Sequence, residues 1–287
     1  MITLGIEPSG PRSNSSSRPL VAFFLLTYAI TWGLLLTFLA SKGFRFEDIS
    51  LSDGFVMFLC MLAGPSISGV LLTWRLEGRA GLSKMAERAR RWRVQPVWLA
   101  VALGTNPVVY LVILLTLTVL VSAAFAPGFQ PIGLVIGLMA GCIEELGWTG
   151  FATPRLLSRW SPVRAGIVLG LVWATWHALA DFAGNSDDLG AQWLPYFLVY
   201  WVVTLSAYRV LMTFVYTHTR SLLVAMLMHA SYTGWQFTLS PGTTGQQSLV
   251  WQALLAIAFV SIATVMVARE RTARTTLRPR DLAAELR

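Results

Sequence analysis

Residues 131–153 read PIGLVIGLMAGCIEELGWTGFAT, an apolar run long enough to cross a bilayer with two adjacent glutamates inside it. A hydrocarbon core takes about 20 mostly apolar residues per helix, and this stretch supplies them. Other runs of the same kind lie at about 20–40, 55–74, 97–125, 165–183, 193–216, 221–239 and 248–268. The run at 97–125 is long enough to tilt, or to carry an interfacial turn near Asn106-Pro107. Composition points the same way. Of 287 residues, 55% are hydrophobic and 13% charged, with mean hydropathy +0.61, against roughly 25% charged in soluble domains. The expected fold is all-α: a polytopic transmembrane bundle of about eight spans in the cell membrane.

The net charge is +8, and its placement carries more information than its sum. Nearly all Lys and Arg fall on one side of an eight-span layout: Arg75 to Arg93 between runs two and three, Arg155 to Arg164 between four and five, Arg220, and the two tails. The other side holds Lys42 and Arg45, and Arg209 lies within run six. By the bias of basic residues toward the cytoplasm, both termini are cytoplasmic. The plain reading of these basic segments is topology and contact with membrane lipids. No basic run is interleaved with aromatics as a base-stacking groove would be, so nucleic acid is not expected as a partner. Cys60 and Cys142 lie in apolar runs and read as small core residues rather than a disulfide. Residues 1–18, rich in Gly, Pro and Ser, read as a disordered tail. Residues 19–269 form the membrane domain, and 270–287 a basic cytoplasmic tail.

A charge in hydrocarbon costs about 2.5–3.5 kcal/mol on insertion scales, so each one is a functional hypothesis. The inventory is short: Glu144 and Glu145 in run four, His177 and Asp181 in run five, Arg209 in run six, His229 in run seven. Adjacent helical residues point roughly 100° apart, so the two glutamates cannot share one role. Trp173, His177 and Asp181 are spaced by four and form one stripe, as do His229, Thr233 and Gln236. At a rise of ~1.5 Å per residue, the glutamates, Arg209 and His229 lie ~10–13 Å inside the cytoplasmic boundary, with His177 deeper at ~18 Å.

Two histidines and a glutamate on separate helices suit water activation. A carboxylate stripped of water is a stronger base, and an imidazole can orient the water or donate to an oxyanion. Glu144, His177 and His229 could instead hold Zn2+ with one position open for water. No His-Glu-x-x-His stretch is present, so such a site would be assembled from distant segments. The same inventory could serve a non-catalytic protein or a proton-coupled transporter.

At these residues the chain resembles a known family. Glu144-Glu145-Leu-Gly-Trp-Thr149-Gly-Phe resembles the first motif, Glu-Glu-x-x-x-Arg, of the CAAX prenyl protease and bacteriocin-processing (CPBP, or Abi) family of intramembrane metalloproteases. Trp173-Ala-Thr-Trp-His177 is similar to its Phe-x-x-x-His motif, and His229-Ala-Ser-Tyr-Thr233 to its His-x-x-x-Asn motif. The three fall in order within about 130–240. The resemblance implies an all-helical membrane endopeptidase acting on a peptide or membrane-protein substrate. By position, Glu144 would activate the water and Glu145 would support the site. His177 and His229 would hold the water or a metal and stabilise the oxyanion.

The departures from the motifs have consequences. Trp173 stands in place of Phe and still offers a flat wall. Thr233 stands in place of Asn, and its hydroxyl can still donate one hydrogen bond. Thr149 stands in place of Arg, which deprives Glu145 of an ion-pair partner at helical spacing. Arg209 is meanwhile buried without a local acid, and an unpaired buried charge is costly. Arg209 is therefore expected to pair with Glu145 from another helix. A further expectation is that Asp181 or a nearby group holds the His177 imidazole, as carboxylates behind histidines often do.

Overall fold

The computed structural model describes residues 17–281, and every regular element among them is helical. Helix α1 (Arg18–Ser41) is followed by α2 (Leu51–Ala89) and α3 (Pro96–Leu120). Helix α4 (Ile132–Gly147) runs through a π-helical turn, Trp148–Ala152, into the short α5 (Thr153–Leu157). Helix α6 (Pro162–Leu189) ends at Gly190, whose φ of +53° breaks the rod. Helix α7 (Trp193–Phe197) continues through a second π-helical segment, Leu198–Thr204, into α8 (Leu205–Thr219). Helices α9 (Leu222–Thr238) and α10 (Gly245–Asp281) complete the chain.

Six stretches among the described residues are long and apolar enough to cross a membrane. One of them, Pro162–Thr219, contains both α6 and α8, which fold back against each other across the Gly190 break. Residues 1–16 of the expected N-terminal tail lie outside the described residues; Ser17 and Arg18 already cap and begin α1. Of the expected C-terminal tail, 282–287 lie outside them, and α10 continues to Asp281.

Of the two alternatives for the run at 97–125, the turn does not occur: Pro107 sits inside helix α3. Asn106 is buried beside it and its Nδ2 donates to the Tyr208 hydroxyl at 2.8 Å, so a polar residue that suggested an interface lies inside the bundle. The basic segment after run two is also more than a connection. It is helical to Ala89, with one break at Gly78 (φ +62°, ψ −154°).

Glycines decide which helices meet. Apolar side chains gain nothing by leaving lipid for each other, so membrane helices associate where small residues let backbones approach. Gly133, Gly137 and Gly141 place one face of α4 directly on α9. A Cβ added at Gly137 would lie 2.3 Å from the Gly234 nitrogen, and one at Gly141 2.3 Å from the Met226 carbonyl oxygen. In the same way Gly166 and Gly170 of α6 rest on Val210 and Ser206 of α8, and Gly147 rests on Pro65 of α2. The helices carrying the polar stripes are thus the ones held at closest range.

Candidate active site

The two π-helical turns lie beside the polar residues, where such irregularities recur at functional sites. In each π turn the hydroxyl of a threonine five residues on also donates to a carbonyl of the turn. Thr153 donates to the Trp148 carbonyl and Thr204 to the Val199 carbonyl, both at 2.9 Å. The first turn has a second support. Arg88, beyond the Gly78 break, donates to the Gly150 carbonyl and to the Tyr216 hydroxyl, each at 2.8 Å. Met85 packs under Gly150 and against Leu222 and Met226. The segment 79–89 therefore sits beneath the π-helical turn that follows the two glutamates. Its sequence signal was the apolar Met85 one turn before Arg88, which the run of basic residues obscured. Arg88→Ala is expected to lower stability by about 1–2 kcal/mol, read as a lower midpoint of thermal unfolding in detergent. An unchanged midpoint would show that the contact carries no weight.

Glu145 is fully buried and saturated. Arg209 reaches it with both arms of the guanidinium, Nη1 to Oε2 and Nη2 to Oε1, each at 3.0 Å. His229 Nδ1 donates to Oε1 at 2.8 Å, and the Thr149 hydroxyl donates to Oε2. Both members of the ion pair have no exposed side-chain surface. The expected partnership of Arg209 with Glu145 thus forms, and Thr149 adds a bond where the resembled motif has its arginine. Two-pronged pairing of this kind is the strong form of carboxylate recognition, and only such a pair is tolerable without water. The guanidinium face lies 4.0 Å over the Trp173 ring, where the ring's electrons offset its charge.

Glu144, one residue earlier, is held differently. Its Oε2 accepts from the indole N–H groups of Trp148 at 3.3 Å and Trp173 at 3.4 Å. It retains 3% exposure where Glu145 has none. No cation pairs with it among the described residues. The two neighbours therefore have distinct environments, as their divergent directions on the helix require.

The histidines flank them. A carbonyl oxygen can only accept, so His177, with Nδ1 2.8 Å from the Trp173 carbonyl, carries its proton on Nδ1. His229 likewise spends Nδ1–H on Glu145. In both rings Nδ1 is the nitrogen engaged by the protein among the described residues. His177 is stacked on Trp201 at 4.0 Å, with Trp176 edge-on at 4.7 Å. Trp201 was not singled out from sequence; it lies on the second π-helical segment, which no periodicity reveals.

Of the groups expected to hold His177, the nearby Trp173 carbonyl does so and Asp181 does not. Asp181 accepts from Asn185 at 2.9 Å and from Trp193 at 2.8 Å. Helical side chains lean toward the N-terminus. His177 therefore leans onto Trp173, and Asp181 receives Asn185 from the turn beyond. Thr233, one turn from His229, is half-buried and stands outside the hydrogen-bonded cluster. Nor do the candidate Zn2+ ligands Glu144, His177 and His229 close into a metal-holding group. Among the described residues no three His, Cys, Asp or Glu side chains do so.

Comparison with known proteins adds an independent finding. Residues 126–235 match the family model described as type II CAAX prenyl endopeptidase Rce1-like. A curated protein of Methanococcus maripaludis named CAAX prenyl protease 2 is 31% identical over 108 residues. That match covers 37% of this chain and 40% of the relative, so the chain spans less than half the length of the relative it matches. The segment 126–235 contains Glu144, Glu145, His177, Arg209 and His229.

Proposed function

We propose that this chain, which over residues 126–235 matches the type II CAAX prenyl endopeptidase Rce1-like family model, is an intramembrane endopeptidase of the CAAX prenyl protease and bacteriocin-processing family whose water is activated by Glu144. The proposed protein is a multi-pass chain of the cell membrane with eight spans and both termini cytoplasmic. Residues 19–269 form its catalytic domain, set among lipids and acting on a peptide or a membrane protein.

One observation carries this reading: the unequal treatment of the adjacent glutamates. Glu145, held by Arg209, His229 and Thr149, has no lone pair to spare and serves to fix three helices together. Glu144, held on one oxygen only, keeps the other for a water. In the proposed reaction Glu144 takes a proton from that water as its oxygen attacks the peptide carbonyl carbon. A tetrahedral oxyanion forms. Glu144 then passes the proton to the amide nitrogen as the C–N bond breaks. His177 and His229 can accept from the water through Nε2. Either ring becomes an oxyanion donor on taking up a proton. A transport role has less behind it, because the matched family is one of endopeptidases.

The test is cleavage by the purified full-length protein in vesicles. The probes are a library of membrane-spanning peptides and a farnesylated peptide ending in Cys-aliphatic-aliphatic-X, the latter prompted by the relative's name. Glu144→Gln and His229→Ala are expected to lose activity by about 100-fold or more. Equal cleavage by wild type and both variants would remove the enzyme claim.

A further inference from the structure

Of the twelve tryptophans in the chain, two aim their only polar atom at the same carboxylate oxygen. The Trp148 indole reaches Glu144 Oε2 from one turn further along the same rod, and the Trp173 indole reaches it from α6. We propose that Trp148 and Trp173 are positioning residues for Glu144: their N–H groups pin Oε2 and so present Oε1 to the water. This rests on the reading of Glu144 as the base.

The packing makes both donors rigid. Trp148 has no exposed surface and Trp173 has 2%. Trp148 is wedged edge-on against Phe23 at 5.5 Å and against Trp176 at 5.4 Å. Trp173 is fixed on one side by the Arg209 guanidinium at 4.0 Å and contacts the His229 ring at 4.9 Å. An indole N–H donates and cannot accept, so neither ring can be satisfied here except by an acceptor such as Glu144. A carboxylate without such partners rotates among positions, whereas one oxygen held by two fixed donors leaves the other in a defined place. Trp173 also joins the two glutamates. Its ring carries the cation that neutralises Glu145, and its N–H holds Glu144. A phenylalanine at 173, as in the motif this segment resembles, would keep the flat face and lose the bond.

The bond itself is tested by nuclear magnetic resonance of the full-length protein, labelled with 15N at tryptophan and held in nanodiscs. Trp148→Phe and Trp173→Phe assign the two indole signals by their disappearance. Glu144→Ala is expected to shift both, and Glu144→Gln, which keeps the shape and a weaker acceptor, to shift them less in the same direction. Indole signals that stay in place in both glutamate variants would overturn the inference, whether or not cleavage is observed. Where a cleaved peptide is in hand, Trp173→Phe is expected to lower kcat about tenfold with KM within about twofold, the pattern of a lost orienting bond to a charged group. Trp74→Phe, on the exposed face of α2, is expected to leave both constants unchanged. Cleavage lost in Glu144→Gln but undiminished in Trp173→Phe would sink the positioning role and leave the base intact. Cleavage undiminished in Glu144→Gln would instead remove the reading of the base, with the indole shifts still deciding the bond.

Discussion

Arg209→Met is expected to destabilise the protein by about 3–5 kcal/mol, the usual cost of leaving one buried charge without its partner. The lost group supplies two of the hydrogen bonds to Glu145 and sits in a place with no solvent-exposed side chain. Water cannot take over there. A neutral pair should recover most of the loss. In Arg209→Met with Glu145→Gln, the glutamine oxygen still accepts from His229, and its amide can donate to the Thr149 hydroxyl. A third variant separates the charge from its address. Thr149→Arg in the Arg209→Met background returns a guanidinium four residues after Glu145, at intrahelical ion-pair spacing, and is expected to restore part of the stability. Unfolding of each purified variant by denaturing detergent gives the order. A single variant as stable as wild type, or a double variant no better than the single, would show that the pair is dispensable.

Gly137→Val is expected to abolish the site while leaving much of the helix content. Even a methyl group at 137 would stand 2.3 Å from the Gly234 nitrogen and 2.4 Å from the Ala230 carbonyl oxygen. Those are backbone atoms and cannot swing aside, so α4 and α9 must separate. Their separation breaks the 2.8 Å bond between Glu145 on α4 and His229 on α9. Forcing excess volume into such a contact costs about 1–3 kcal/mol or more. The companion variant is Gly33→Ala on α1, where an added Cβ meets nothing within 4 Å. It is expected to be neutral or to stabilise by up to about 1 kcal/mol, the difference in helix propensity. Thermal unfolding in detergent, with circular dichroism as the helix signal, distinguishes the two. A Gly137→Val protein that unfolds at the wild-type midpoint would contradict the packing argument.

The apolar helices and the buried ionisable residues of the candidate site were readable because their cost is local. A charge in hydrocarbon is costly wherever it lies, so Glu144, Glu145, His177, Arg209 and His229 could be selected one by one. The pairing of Arg209 with Glu145 was readable because each was unmatched on its own helix, and two unmet charges of opposite sign leave few alternatives. Asp181 failed the same reasoning because other donors competed for it. Spacing put it on the stripe of His177, but the lean of helical side chains and the approach of Trp193 gave it different partners. Arg88 was hidden among many basic neighbours. Only packing sets it apart from its neighbours, since it reaches the Gly150 carbonyl of the π-helical turn.

By itself, then, the sequence determined an all-helical membrane chain and a short set of ionisable residues, because hydropathy and the price of burying charge depend on composition and local spacing. The tertiary structure decided how differently the two glutamates are held. Three donors from α8, α9 and the π turn saturate Glu145, and two indoles hold Glu144 by one oxygen. That division depends on which side chains from separate helices arrive within about 3 Å, and glycine-mediated approach of the backbones sets that distance.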